Sequence, residues 1–121
     1  MKPHLYLQIA SKLRTTILRG DYAPEQQIPS IRRLAENEKC NPATVQKAMK
    51  VLEKQNLVIS CGTLGYFVKA SNKEIKELRY QESNKSVKIL CKKLAELGFS
   101  VDEIVNLSIR EDTRRSWMEI Y

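Results

Sequence analysis

Residues 29–68 read PSIRRLAENEKCNPATVQKAMKVLEKQNLVISCGTLGYFV, and this stretch decides the fold. Ser30 can accept a hydrogen bond from the orphan amides of a short helix over Ile31–Glu38, in which Ile31, Leu34 and Ala35 share one face by their three- and four-residue spacing. Asn41 and Pro42 restart the chain as a helix. Asparagine accepts from first-turn amides, and proline fits the first helical position, where no donor is needed. Only residues 39–41 are left for the turn. The second helix runs to about Gln55, with Asn56 as a left-handed stop. Leu57, Val58 and Ile59 are strand-like, Gly62 and Gly65 supply turn conformations, and Tyr66, Phe67 and Val68 are strand-like again, so this part reads as a hairpin. Helix, tight turn, helix and hairpin together outline a winged helix-turn-helix.

The second helix divides into two faces. At about 100° per residue, Lys47, Lys50 and Lys54 fall within about 60° of one another, opposite Val45, Ala48, Met49 and Leu52. One side can pack on Leu34 and on Ile17 of an earlier helix, while the other enters a major groove. First-turn amides and the helix dipole favour phosphate. Asn41, Ala43, Thr44, Gln46 and Lys47 occupy those first turns. Gln46 can pair with adenine, Thr44 can bond a base or phosphate, and the Ala43 methyl can meet a thymine methyl. Lys47 and Lys50 act as point charges for phosphate, and Arg32 and Arg33 are further groove or phosphate contacts. The alternative for each of these residues is a solvated polar side chain.

Outward from this stretch, Leu5, Ile9, Leu13 and Ile17, broadened by Tyr6, Ala10 and Leu18, make an amphipathic helix that ends at Gly20 and Asp21. Tyr22 to Gln27 is a loop containing Pro24, with Gln27 and Ile28 extended because Pro29 disfavours helix before it. After Ala70 the composition shifts to Lys, Glu and Leu. Ser71 or Asn72 can cap a helix carrying Ile75, Leu78, Val87, Leu90, Leu94 and Leu97, whose phase breaks across residues 81–86 at a bend or exposed turn. Gly98 stops it, and Ser100 with Glu103 forms a capping box for another short helix rich in Val101, Ile104, Val105, Leu107 and Ile109. The last residues, with Trp117, Met118, Ile120 and Tyr121, form either a third helix docked by its aromatics or a frayed end.

The expected architecture is therefore mainly α with a small β-hairpin. Residues 1–70 form a winged helix-turn-helix domain, and residues 71–121 a short α-helical dimerisation domain. About 50 residues rarely bury a sufficient core alone, so Leu90, Leu94, Leu97, Val101, Ile104 and Val105 are expected to meet a second copy, the alternative being packing within their own chain.

Charge agrees with a polyanionic partner. The chain of 121 residues carries a net +7, and residues 1–70 hold 11 Lys and Arg against 5 Asp and Glu, whereas residues 71–121 hold 10 against 9. The excess sits with the helix-turn-helix. Cys40, Cys61 and Cys91 are odd in number and match no metal spacing, which suits a reducing cytoplasm and predicts neither a disulfide framework nor a metal site. No apolar run approaches a membrane span, and the first residues lack a signal peptide's apolar core. One histidine, His4, no triad and no glycine-rich phosphate loop leave little for catalysis, and no cofactor is implied.

The motifs PSIRRLA at 29–35, NPATVQKA at 41–48, LEKQNLV at 52–58 and GYFV at 65–68, with LYLQI at 5–9, resemble the GntR family of bacterial transcriptional regulators. The run LAELGFSVDEI at 94–104 and the small size resemble its YtrA-like subfamily, which carries only a short helical dimerisation domain. The resemblance implies a homodimeric repressor bound to double-stranded DNA at a pseudo-palindromic operator. Arg32, Pro42, Ala43, Thr44 and Gln46 would make its DNA contacts. Many relatives have arginine where this chain has Pro42 and Gln46. Relatives also carry a Gly-x-Gly and basic residues at the wing, where this chain has Thr63 and no cation, which argues against minor-groove insertion; backbone amides and Thr63 would then meet phosphate. Arg33 replaces the acid that usually completes a capping box, a cost that suggests phosphate contact. No feature identifies a small-molecule effector, and a ligand would bind between subunits. The rival readings are a non-specific nucleic-acid-binding accessory protein and a winged-helix protein-interaction module.

Overall fold

The computed structural model describes residues 4–120, the side chains at 108, 109, 111–113 and 117 excepted. The side chains of Trp117 and Ile109, and the whole of Tyr121, which the sequence offered as apolar contacts, lie outside what the structure describes. The order is α1 (Leu5–Arg19), α2 (Ile31–Glu38), α3 (Pro42–Lys54), β1 (Val58–Ser60), a 3-10 turn (Gly62–Leu64), β2 (Tyr66–Val68), α4 (Asn72–Glu96), α5 (Val101–Ile109) and α6 (Glu111–Ile120). Two compact units result, Met1–Arg79 and Tyr80–Tyr121.

Local chemistry sets the element boundaries of the first unit. Gly20, at φ 90°, ends α1, and Arg19 donates to Asp21 just beyond, holding that carboxyl below the usual range. Arg33 N donates to Ser30 Oγ at 3.1 Å, and Ala43 N to Asn41 Oδ1 at 2.9 Å, so both helices of the motif start on the expected caps. Lys39, at φ 54°, makes the left-handed turn between them, and Asn56, at φ 61°, the stop after α3.

The strands pair antiparallel in the register Val58 to Val68, Ile59 to Phe67 and Ser60 to Tyr66. A third segment joins them. Gln27 bridges Phe67, Ile28 N donates to Tyr66 O at 2.9 Å, and Val68 N donates to Gln26 O at 2.9 Å, so the extended stretch before Pro29 lines the outer edge of β2. This ties the wing to the loop after α1.

One apolar core fills the space between these elements. Ile17, Val45, Ala48, Leu52 and Leu57 are fully shielded, joined by Ile9, Leu13, Ile28, Met49, Val58 and Val68. Each large side chain so buried contributes roughly 1.5–3 kcal/mol before entropy is counted. Ile75 is buried and Leu78 packs against the core, so the first turns of α4 belong to the first unit. Leu5 departs from the expected stripe, standing 49% exposed. A four-residue repeat drifts about 40° per step against a 3.6-residue turn, so the stripe rolls away from the core towards the helix start.

The second unit is different in kind. The expected bend at residues 81–86 is absent, and α4 is helical throughout. Those residues include neither Gly nor Pro, so losing the apolar phase removes burial without breaking the backbone. Ser100 and Glu103 complete the expected capping box, each donating its backbone amide to the other's side chain at 3.2 Å. Residues Glu111–Ile120 form a helix, α6, whose backbone approaches that of α5. No described side chain of residues 80–120 is buried. Leu97 and Val101 are 74% and 76% exposed.

If the first unit depends on α3's packing, Leu52→Ala should cost about 2–5 kcal/mol in urea denaturation, whereas Leu64→Ala, at an exposed site, should change stability by less than about 0.5 kcal/mol. Equal effects at the two positions would contradict this account of the core.

Candidate nucleic-acid interface

The sides of α3 have three different surroundings. Val45, Ala48, Met49 and Leu52 face the core, and Ala43, Lys47, Lys50 and Lys54 face solvent. Thr44 and Gln46, on the flanks between, are half-buried. The lysine face foreseen from periodicity is therefore present as a continuous exposed strip. Lys47 and Lys50 bring two cations to it one turn apart.

Two neighbours shape this strip. Lys47 Nζ stands 5.9 Å from the centroid of the Tyr6 ring, which itself stacks on His4 at 5.9 Å. A ring face attracts an ammonium at that distance and offsets part of the Lys47–Lys50 repulsion. On the other flank, Gln46 Nε2 donates to Tyr66 Oη at 3.0 Å. Gln46 therefore links α3 to the wing, and its carbonyl oxygen and second N–H remain the groups able to pair with a base edge.

Helix N-termini provide the second source of positive potential. None of α1, α2 and α3 carries an acidic residue in its first turn, whereas α4 has Glu74 there and α5 has Asp102 and Glu103. The partial positive charge of the motif's helix starts is thus not neutralised by their own side chains. At α2, Arg32 and Arg33 are exposed and add full charges to it.

The wing closes the arrangement. Gln27, Ser30, Ile31, Gln46, Thr63, Leu64 and Tyr66 are among the residues lining one groove of about 410 Å³ between the start of α2, α3 and the wing tip. Gln27 Nε2 donates to Leu64 O at 2.6 Å, and Ser60 N to Glu53 Oε2 at 3.3 Å, so the tip is fastened from both sides. Thr63 is exposed at the tip. Of the residues singled out from sequence, Arg32, Arg33, Asn41, Ala43, Lys47, Lys50 and Thr63 are exposed, with Thr44 and Gln46 half-buried. Tyr6, Gln27 and Tyr66 were not foreseen. Each acts through a partner far away in sequence, and local pattern carries no signal for that.

Cys40 is half-buried and Cys61 exposed, and both are free thiols. Among the described residues, no group of His, Cys, Asp and Glu is placed to hold a metal ion, and no helix is long and apolar enough to cross a membrane.

Comparison with known proteins places this geometry. The family model for bacterial regulatory proteins of the gntR family matches residues 5–68. The chain is 27% identical over 101 residues to the uncharacterized HTH-type transcriptional regulator YhcF of Bacillus subtilis, covering 84% of each chain. It is 32% identical over 69 residues to the HTH-type transcriptional repressor YtrA of the same organism, covering 57% of this chain and 53% of YtrA. A GntR family transcriptional regulator from Listeria monocytogenes shares the fold at a TM-score of 0.80 and 23% identity, over 88% of this chain and 93% of that one. The DNA-binding domain of AraR, solved in complex with an operator, superposes at a TM-score of 0.54 and 28% identity, over 56% of this chain and 82% of that one. The matched span holds the whole helix-turn-helix and wing. The chain therefore belongs to the GntR family of bacterial regulatory proteins, which regulate transcription by binding DNA through a winged helix-turn-helix and are not enzymes.

Proposed function

We propose that the chain is a sequence-specific transcriptional repressor that works in the cytoplasm as a homodimer on a pseudo-palindromic operator. The observation that carries this reading is α3, one side of which is wholly buried while the other presents Ala43, Lys47, Lys50 and Lys54 beside helix starts free of acid. A helix fixed in that way can lie in a major groove without moving its core side.

The proposed contacts divide by chemistry. Lys47, Lys50, Arg32 and Arg33 neutralise phosphates and release counterions, which supplies affinity without sequence information. Asn41 and the first amides of α3 add phosphate contacts at the helix start, and Thr63 one at the wing. Ala43, Thr44 and the remaining amide groups of Gln46 read base edges. YtrA, which shares 32% identity over 69 residues, is a repressor, and AraR's matching domain is solved on an operator. Both support the same direction.

Dimerisation rests on the second unit. Leu90, Leu97, Val101 and Val105 are each more than half exposed, with Leu94 and Ile104 half-buried. A unit with no buried side chain among its described residues is completed by apolar contact with another copy, and two half-sites follow from two copies. An effector, if the protein has one, would bind between the subunits.

Three outcomes are expected. Fluorescence anisotropy should show Lys47→Glu with Lys50→Glu weakening DNA binding at least about a hundredfold and flattening the salt dependence by about one in slope for each phosphate no longer neutralised. Equal binding of random and operator duplexes by the unsubstituted chain, at every salt concentration, would refute specific regulation. Tyr66→Phe, which removes the partner of Gln46, should lower the preference for operator over random DNA while leaving the salt slope unchanged. Light scattering should return twice the 14.0 kDa chain mass, and Leu97→Glu with Val101→Glu should halve it; a monomeric mass for the unsubstituted chain at micromolar concentration would end the dimer reading.

A further inference from the structure

Leu64 stands at the wing tip with 67% of its surface exposed, where charge would be expected for a DNA contact. Residues 60–65, SCGTLG, contain no Lys or Arg. The side chain is presented rather than left loose. It ends a 3-10 turn that begins at Gly62 and is followed by Gly65, at φ 60° and 98°. Leu64 N donates to Cys61 O at 3.2 Å, Cys61 N to Gly65 O at 2.8 Å, and Leu64 O accepts from Gln27 Nε2 at 2.6 Å. A backbone held on each side of an exposed apolar side chain has already given up the entropy that binding would otherwise remove.

The direction of this knob is set by what surrounds it. Leu64 lines the same groove as Ser30 and Ile31 at the start of α2 and Gln46 of α3, so it borders the surface assigned to DNA. When α3 lies in a major groove, the structure beside it is the phosphate backbone and then a minor groove. Deoxyribose walls there offer C–H surface, and apolar side chains can wedge at steps that unstack easily.

We propose that Leu64 enters the minor groove flanking each half-site as an uncharged apolar contact, making the wing a reader of groove width and deformability rather than of charge. This rests on the DNA-binding reading above. It assigns the wing a contribution that added salt does not weaken. It also places sequence preference at flanking positions where no base edge is hydrogen-bonded, favouring pyrimidine–purine steps.

The test uses the full chain and the duplex that the unsubstituted protein enriches most from a random library. Leu64→Ala should weaken binding roughly tenfold with no change in the slope of affinity against salt, since only apolar surface is removed from the interface. Leu64→Lys should recover affinity with a slope steeper by about one per wing. Hydroxyl-radical cleavage, which samples the minor groove, should lose its protected flanks with Leu64→Ala while the centre of each half-site stays protected. An unchanged urea midpoint for Leu64→Ala excludes a folding defect. Affinity and footprint identical to those of the unsubstituted chain would overturn the proposal alone, and would leave the knob to a protein partner. Weaker binding accompanied by a flatter salt slope would overturn it too. Failure of the unsubstituted chain to bind any duplex would overturn the DNA-binding reading and this one together.

Discussion

The packing of α3 on α1 and α2 is the constraint on which the other features depend. Val45, Ala48, Met49 and Leu52 are essentially removed from solvent, and they meet Ile17 and Leu34 within one continuous core. Because a helix has a fixed period, burying these four residues forces Ala43, Lys47, Lys50 and Lys54 outward. The same packing sets where the wing lies, since Leu57 and Val58 follow directly into the core and Gln46 reaches Tyr66 from the opposite flank. The exposed strip is in this sense a by-product of the core. Its chemistry can vary while its position cannot.

The charge at helix starts separates the helix-turn-helix from the helices that follow it, α4 and α5. In the second unit, α5 begins with an acid-rich capping box that stabilises a short helix in the ordinary way. In the first, α2 and α3 begin on single Ser and Asn caps with no acid in the first turn, and α2 carries Arg32 and Arg33 there instead. Placing cations at a positive helix end destabilises a free helix by a few tenths of a kcal/mol to about 1 kcal/mol each. A bound polyanion reverses the sign of that cost. The helix-turn-helix therefore has local electrostatics suited to a polyanion, while the described residues of the second unit include exposed apolar side chains such as Leu97 and Val101.

The sequence disclosed what depends on neighbours a few positions apart. The caps at Ser30, Asn41 and Ser100, the turn at Lys39, the stop at Asn56 and the hairpin are each local, and each is found where spacing put it. The extended stretch at Gln27 was legible from Pro29, although its pairing with Phe67 was not. What remained hidden were contacts across the chain. Gln46 and Tyr66 are 20 residues apart, and Gln27 and Leu64 are 37 apart. Such pairs follow from how elements dock, for which one sequence has no periodicity. The bend expected in α4 failed for another reason: apolar phase reports burial, and an exposed helix needs none. Residues 29–33 and 41–50 were legible as the candidate interface because capping, charge and phase coincide there. At the wing, the lack of cations and the place of Thr63 were legible, but the 67% exposure of Leu64 was not, because it depends on how the turn folds.

Selection from a random-sequence duplex library with the purified chain, followed by sequencing of what is retained, tests the proposal of a dimeric, sequence-reading regulator most directly. Two copies presenting α3 in successive major grooves predict enrichment of a two-fold-symmetric sequence whose half-sites lie about one helical turn apart, or a multiple of it. A pool that stays random after repeated rounds, or that converges on a single asymmetric half-site, would contradict it.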